Sequence, residues 1–513
     1  MQKFSTWRLA ASLSLPLLAA FSLGVYLMVS QMSYGLGFPL DDAWIHQTYA
    51  RNLTDYGEWA FIPGQASAGS TSPLWSGILA IGVVLHLAPY PWTFLLGFLA
   101  LWGIGVVGQR VFERMLSPRP STGNVAFWWV GVVLIFEWHL VWAAASGMET
   151  LLFTLLVLLI FSLLYSTPSS SLIACVPLLP RPLVLGALIG LSVWLRPDGV
   201  TLLAAAGWVI LTDGRDWDEK LRAASLTLSG FAVLFLPYLG FNRALSDAWL
   251  PNTFYAKQAE YAIHRTIPFL TRLFEQASLP MVGVGILLLP AFLRFWARTG
   301  RRRAWASWAA PLWVVGYLVL YAWRLPVTYQ HGRYLMPAMP IFFLWGLAGL
   351  ADWNQARSAV VWRRVVSRVW VLSVGVGLFL FWGLGAAAYS RDVGVIESEM
   401  VATARWIAEN TPPAALIAAH DIGALGYFGE REILDLAGLV SPQVMPIIRD
   451  EQALRTYLTA EGADYLMTFP GWYPLLVSCA PIIYQSRGEV SPSLGGENMT
   501  VYRWSSPQNC EVK

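Results

Sequence analysis

Long apolar runs alternate along this chain with short cationic clusters, and two polar stretches break the rhythm. The runs fall at about 9 to 30, 73 to 108, 126 to 144, 150 to 166, 183 to 195, 200 to 213, 223 to 241, 279 to 296, 304 to 323, 334 to 352 and 367 to 389. A helix needs roughly 20 apolar residues to cross a bilayer, so the pattern predicts a polytopic α-helical membrane protein. The run 73 to 108 is interrupted at Pro89 and Pro91 and reads as two helices, one of them short or re-entrant. With that reading the chain makes about 11 crossings; about 13 is the alternative. The first run is longer than a signal-peptide core and no convincing small-x-small cleavage site follows it, so it is expected to stay as a membrane helix with Lys3 and Arg8 inside.

The cationic clusters orient these helices. Arg110, Arg114 and Arg119; Arg215, Lys220 and Arg222; Arg298 and Arg301 to Arg303; and Arg357, Arg363, Arg364 and Arg368 are expected to face the cytoplasm. The opposite connections then lie outside: the loop 31–72, residues 146–149, 196–199, 242–268 and 324–333, and everything after Tyr389.

The first polar stretch, FPLDDAWIHQTYARNLTDYGEWAFIPGQASAGSTSPLW from Phe38 to Trp75, carries Asp41, Asp42, His46, Arg51, Asp55 and Glu58 with aromatics between them. Trp44, Thr48 and Arg51 lie at helical spacing, and Pro73 is placed to open the next helix. The second begins near Asp392. Residues 398–409 have helical periodicity, 416–419 and 433–436 read as strands, 451–458 as a helix and 465–468 as a strand. The expected organisation is a membrane domain over 1–390 and a small extracytoplasmic α/β domain over 391–513. Cys479 and Cys510 are the two cysteines of that tail; they form a disulfide there or remain free thiols, and Cys175 reads as a buried thiol.

Composition sharpens the class. Among 513 residues, 56% are apolar, 13% charged and 27 are Trp, far from a soluble protein's balance, in which about 25% are charged. A net charge of +3 gives no footprint for nucleic acid. No G-x-x-x-x-G-K-[ST] motif is present, so an activated donor would come from the membrane rather than from a cytosolic nucleotide.

Two adjacent carboxylates beside a bilayer are costly unless paired, hydrated or bound to a cation. One can act as general base for a hydroxyl while the other orients it or pairs with a cation. Alternatively, Asp41 caps a helix starting near Trp44 and Asp42 points into water. The outward connections together supply a polar rim of Asp41, Asp42, His46, Glu149, Arg196, Asp198, Lys257, His331 and Arg333. Arg196 and Asp198 either serve the site or simply contact each other around Pro197. His331 and Arg333 fit an anion, or Arg333 anchors a helix at the interface. Lys257 is a phosphate contact or a snorkelling lysine. Glu137 and His139 fit a mutual pair, His86 and His420 are uninformative, and no His, Cys or carboxylate spacing makes a zinc site. A carboxylate base facing a cationic phosphate site suggests a transfer in which a hydroxyl attacks the anomeric carbon of a sugar carried on a lipid phosphate.

The ordered set LDDAWIHQTYARNL, GSTSPLW, SGMET (146–150), LRPDG (195–199), LPNTFYAK (250–257), GRYLMPAMP (332–340) and DIGALGYFGEREILDLAGL (421–439) resembles integral-membrane glycosyltransferases of the GT-C superfamily. It is most similar to the bacterial branch that includes the terminal arabinofuranosyltransferases of actinobacterial cell walls. The resemblance implies a polyprenyl-phosphate sugar donor and an inverting transfer on the outer face of a bacterial cell membrane to an envelope glycan, lipid or protein. It implies Asp41 as catalytic base, with Asp42 at the second acidic position. It leaves the sugar undefined and a divalent cation open, since oligosaccharyltransferase relatives use one and users of lipid monophosphosugars generally do not. A transporter or flippase of lipid-linked sugars, and a non-catalytic assembly factor, are the other classes the pattern allows.

Overall fold

The computed structural model describes residues 2–116, 128–165, 179–355, 360–478 and 480–504. Cys175, Cys479 and Cys510 lie outside the described residues. The helices that matter below are α1 (Gln2–Ser33), α2 (Asp42–Asp55), α3 (Pro73–Val84), α4 (Pro89–Leu116), α5 (Trp129–Ile135), α6 (Trp138–Ala145), α7 (Thr150–Leu164), α8 (Arg181–Leu195), α9 (Leu202–Thr212), α10 (Trp217–Ser246), α11 (Asn252–Glu260), α12 (Phe269–Ser278), α13 (Gly285–Arg301), α14 (Ala309–Arg324), α15 (Met339–Gln355) and α16 (Val361–Val395).

Among the described residues, six helices are long and apolar enough to cross a membrane, and the pair Phe269–Met281 and Gly285–Arg301, bent by 105°, makes a seventh if it is one span. Four shorter apolar helices accompany them, Pro73–Val84, Thr150–Leu164, Arg181–Leu195 and Pro197–Thr212. The protein is a multi-pass membrane protein. The broken run from Pro73 is a 12-residue α3 and a 28-residue α4. At 1.5 Å per residue α3 is about 18 Å long, short of the ~30 Å hydrocarbon core. The apolar run 126–144 is likewise divided, because Glu137 caps a new helix by accepting the Leu140 N–H at 3.2 Å.

Lipid would replace water around the outer faces. On α16, Val365, Val369, Leu372, Val376, Phe379 and Leu380 are exposed, as a helix bordering hydrocarbon requires. Inside the bundle, small residues permit close approach: a Cβ at Gly186 or at Gly190 of α8 would strike the α10 backbone at Thr227 or at Phe231. Described members of the cationic clusters close helices at one end: Arg114 of α4 donates to the Ser162 carbonyl at 2.7 Å and Arg298 of α13 pairs with Asp352, with the Tyr165 hydroxyl donating to the Ser307 carbonyl at 2.9 Å nearby.

At the other end α16 does not stop at residue 390. Its 35 residues span about 52 Å at 1.5 Å each, more than the bilayer needs. It continues through a π turn, Ile396–Val401, into α17 (Ala402–Asn410). A small sheet lies beyond it, separate from the hairpin of β1 (Ala60–Ile62) and β2 (Gln65–Ala66), which belongs to the first polar loop. The sheet is formed by β3 (Leu416–Ala419), β4 (Glu432–Asp435), β5 (Tyr465–Thr468), β6 (Ile482–Gln485) and β7 (Thr500–Arg503), in the order β4-β3-β5-β7-β6. β4, β3 and β5 are parallel, whereas β7 and β6 add antiparallel. Helix α18 (Gly423–Phe428) follows β3, and α19 (Glu451–Ala460) packs Leu454 and Leu458 under the sheet with Leu434 and Leu466. β3 and β5 fall where the sequence reading places them, and β4 lies one residue before its expected 433–436; β6 and β7 do not show in the sequence, since they are four-residue strands and β6 is an exposed edge following Pro481.

The sheet is docked on the first polar loop. Arg51 of α2 donates to the carbonyls of Tyr427 (2.8 Å) and Gly426 (2.9 Å), and Trp44 packs on the rings of Tyr427 and Phe428. This brings the carboxyl ends of β3 and β5 against the acidic pair.

Candidate functional site

Helix α2 begins at Asp42, and its amide spacing places Asp42 and His46 four residues apart on one face. Asp41 stands at the N-cap position but makes no side-chain cap bond, so the capping alternative is set aside. Its carboxylate instead accepts the N–H groups of Gly423 at 2.7 Å and Ala424 at 2.8 Å. A Cβ on Gly423 would collide with the Asp41 backbone. Gly423→Ala is therefore expected to cost roughly 1–3 kcal/mol, read as a lower melting temperature and faster proteolysis of the sheet domain.

Asp42 does not point into open water. It forms ion pairs with Lys257 of α11 at 3.3 Å and with Arg333. Lys257 also donates to the Tyr334 hydroxyl at 3.0 Å, which places its ammonium in the site and excludes the snorkelling alternative. Behind Asp42 a buried polar chain runs inward. His46 bonds Ser76 (3.0 Å) and Ser70 (3.2 Å) through Nδ1 and faces Glu149 at 3.6 Å. Glu149 pairs with Arg196 at 3.3 Å, and Arg196 with Asp198 at 3.0 Å and the Tyr321 hydroxyl at 2.9 Å. Arg196 and Asp198 thus contact each other and also join the site.

His331 does not join Arg333, although only Gly332 lies between them. Gln330 and His331 both adopt positive φ of 55°, which turns the imidazole away to Asp392 at 2.8 Å, between the Trp138 and Trp142 rings. The expected anion contact at His331 is corrected: its partner is a carboxylate in a separate recess. Glu137 and His139 pair at 2.8 Å, as the sequence suggests.

Two cavities meet at the acidic pair. The inner one is lined by Asp42, His46, Glu149, Arg196, Tyr321 and Arg324. The outer one, a cleft of about 770 Å³ under the sheet, is lined by Asp41, Glu260, His420, Asp421, Trp472 and Tyr473. Asp42, Lys257 and Arg333 border both. Arg333 is 3% exposed, and its Nε and Nη1 have no hydrogen-bond partner. Unsatisfied buried donors carry a desolvation cost, so they are poised for an anion.

Electrostatics separates the two carboxylates. Burial, reinforced by the charge of Asp421, pushes Asp41 up to about 8 against the pull of its two N–H bonds. Burial also raises Asp421, to about 6, with His420 opposing. For Asp42 burial works the same way, but Lys257 and Arg333 overcome it and hold its carboxyl well below the usual range. Asp41 and Asp421 titrate as a pair, each charge resisting the second ionisation. If ionised Asp41 is the working form, turnover rises with pH across about 6 to 8. Replacing Asp421 with Asn removes a like charge, so Asp41 ionises more easily and the acidic limb of the rate profile should move to lower pH. An unmoved limb would separate the two groups.

Of the expected rim, Asp42, His46, Glu149, Arg196, Asp198, Lys257 and Arg333 line the inner cavity, and Asp41 lines only the outer cleft. The sequence pattern does not mark His420, which bonds the Tyr473 hydroxyl at 2.7 Å and pairs with Glu260 at 3.4 Å, or Asp421, Tyr334 and Trp472. The pair His420–Asp421, directly after the apolar strand LIAA, was the available signal, because open parallel sheets bind at the carboxyl ends of strands. Among the described residues no group of three or more His, Cys, Asp or Glu is placed to hold a metal ion.

This arrangement of membrane helices, acidic first loop and small C-terminal sheet is the GT-C membrane fold. Of solved structures, ArnT from Cupriavidus metallidurans bound to undecaprenyl phosphate is similar over 96% of this chain and 99% of its own, with a TM-score of 0.59 and 16% identity. The Archaeoglobus fulgidus oligosaccharyltransferase tethered to an acceptor peptide containing the NVT sequon gives a TM-score of 0.62 at 11% identity, covering 95% of this chain and 74% of its own. AglB from Archaeoglobus fulgidus, in complex with an inhibitory peptide and a dolichol-phosphate, gives 0.58 at 12% identity, covering 89% and 69%. A domain of unknown function, DUF8728, matches residues 389–502. No curated protein matches the chain by sequence.

Proposed function

We propose that the chain is a glycosyltransferase that moves a sugar from a polyprenyl-phosphate carrier to an acceptor hydroxyl at the outer face of a bacterial cell membrane. The observation that carries this reading is Arg333, buried where the two cavities meet, with two donors unpartnered and Asp42 and Lys257 beside it. The carrier phosphate would take those donors, with its sugar directed toward the junction. Two fold neighbours that hold undecaprenyl phosphate and dolichol-phosphate support a lipid phosphate as the ligand.

The acceptor enters from the outer cleft. Asp41 takes the proton of its hydroxyl as that oxygen attacks the anomeric carbon, and the bond from this carbon to the phosphate oxygen breaks on the opposite face, inverting the centre. The sugar is now joined to the acceptor, the proton is on Asp41, and the carrier leaves as its phosphate. Negative charge grows on that phosphate in the transition state, where Arg333 and Lys257 stabilise it. Asp42 keeps both cations ionised and oriented. Glu149, Arg196 and Asp198 brace the inner wall, with His46 between Asp42 and Glu149.

Native mass spectrometry of the purified protein with undecaprenyl phosphate and with undecaprenol tests the anion site. The phosphate form is expected to bind at least about tenfold tighter, the minimum for one charge-assisted contact. Equal binding of the two lipids would remove the phosphate site.

A further inference from the structure

The crevice at the carboxyl ends of β3 and β5 is a switch point of the sheet: the chain leaving β3 turns toward β4 on one side, and the chain leaving β5 leads to β6 and β7 on the other. Ligands of open α/β sheets bind in such crevices. Here the crevice opens onto Asp41. His420 and Asp421 follow β3, while Phe469, Trp472 and Tyr473 follow β5.

Trp472 is 48% exposed, the most open aromatic side chain in the cleft, and it is braced edge-on by His420 at 5.1 Å and by a tilted Phe469 ring at 5.2 Å. Asp41, Asp421, Glu260 and Glu451 line the cleft together with His420 and Arg449, and Lys257, Arg333 and Asp42 stand where it meets the inner cavity. The buried Asp421 Oδ2 has no hydrogen-bond partner. Carboxylates accept hydrogen bonds, so the cleft calls for a ligand that covers the indole and donates to the acids around it. A sugar ring satisfies both demands, since its C–H face packs on an indole while its hydroxyls donate to carboxylates. A peptide is served less well: β3 and β5 are interior strands, so no sheet edge faces the cleft to pair with an extended backbone. The cleft, about 770 Å³, has the volume of an ordinary small-ligand site.

We infer that this crevice is the acceptor subsite, and that it takes a neutral saccharide whose ring stacks on Trp472 while its hydroxyls reach Asp421, Glu260 and Asp41. The inference rests on the glycosyltransferase reading and adds the chemical class of the acceptor. On this inference the C-terminal sheet supplies half of the binding site, with the membrane domain supplying the other half.

The test uses the full chain in lipid nanodiscs. Saturation-transfer NMR is recorded with methyl glycosides of glucose, galactose, mannose and N-acetylglucosamine, and separately with a Ser/Thr-containing peptide. Wild type, Trp472→Ala and Trp472→Phe are compared, and undecaprenyl phosphate binding is measured on each. Saturation is expected to reach at least one glycoside in wild type, to fall at least fivefold in Trp472→Ala and to be largely restored in Trp472→Phe, with undecaprenyl phosphate bound by all three. If the lipid phosphate binds but no glycoside does, or if the peptide alone shows the Trp472 dependence, the saccharide subsite is overturned and the glycosyltransferase reading stands. If the lipid phosphate fails to bind wild type, the reading beneath the inference falls with it.

Discussion

Asp41→Asn is expected to lower kcat by a factor of about 10² to 10⁴, the span that a positioned general base contributes. The substitution is nearly isosteric, and an amide oxygen can still accept from Gly423 or Ala424, so the loop and sheet should remain docked. Binding of undecaprenyl phosphate should be unchanged, because Asp41 lines only the outer cleft. Asp42→Asn should behave differently. It removes the counter-charge of Lys257 and Arg333, so it should change lipid-phosphate affinity as well as turnover. A turnover loss in Asp41→Asn accompanied by an equal loss of carrier binding would place Asp41 in the phosphate site rather than on the acceptor side.

Arg333→Met is expected to weaken undecaprenyl phosphate binding by about 30-fold or more. Truncating one member of a buried charge pair costs about 2–5 kcal/mol, part of it from the charge left behind. That remnant here is Asp42 with Lys257 alone. The double variant Asp42→Asn, Arg333→Met separates the two effects, since it removes the stranded carboxylate. Thermal stability should recover toward wild type while lipid-phosphate binding stays lost. Recovery of both would mean that Arg333 acts only as the partner of Asp42.

The membrane architecture was legible because hydrocarbon imposes a run length on every spanning helix and leaves cations at the ends. Even so, the apolar runs did not show that Glu137 starts a new helix within one of them, or that α16 continues past Tyr389 without a break toward the C-terminal sheet. The site was partly legible for a related reason. Asp41, Asp42, Lys257 and Arg333 stand out because charge beside lipid needs a partner, and the structure brings three of them into one ion-paired group. The direction of each side chain was not legible. His331 and Arg333 lie two residues apart in TYQHGRY, yet the positive φ values at Gln330 and His331 send them to different cavities. His420 was passed over because a lone histidine after four apolar residues has no periodic signature; its significance comes from Glu260, 160 positions earlier in the chain, meeting it across the cleft. The bonds from Gly423 and Ala424 to Asp41 are backbone contacts across more than 380 positions, which no side-chain pattern encodes.

The most direct measurement is label transfer. Purified wild type and Asp41→Asn, both confirmed to be folded and to bind undecaprenyl phosphate, are incubated with a panel of radiolabelled polyprenyl-phosphate sugars and an envelope extract. The expected result is that at least one sugar passes to the extract with wild type and at least about 100-fold more slowly with Asp41→Asn. Equal transfer by both proteins would remove Asp41 as the base. No transfer from any donor by wild type that binds the carrier would contradict glycosyl transfer itself and direct the next assay to movement of the lipid across the membrane.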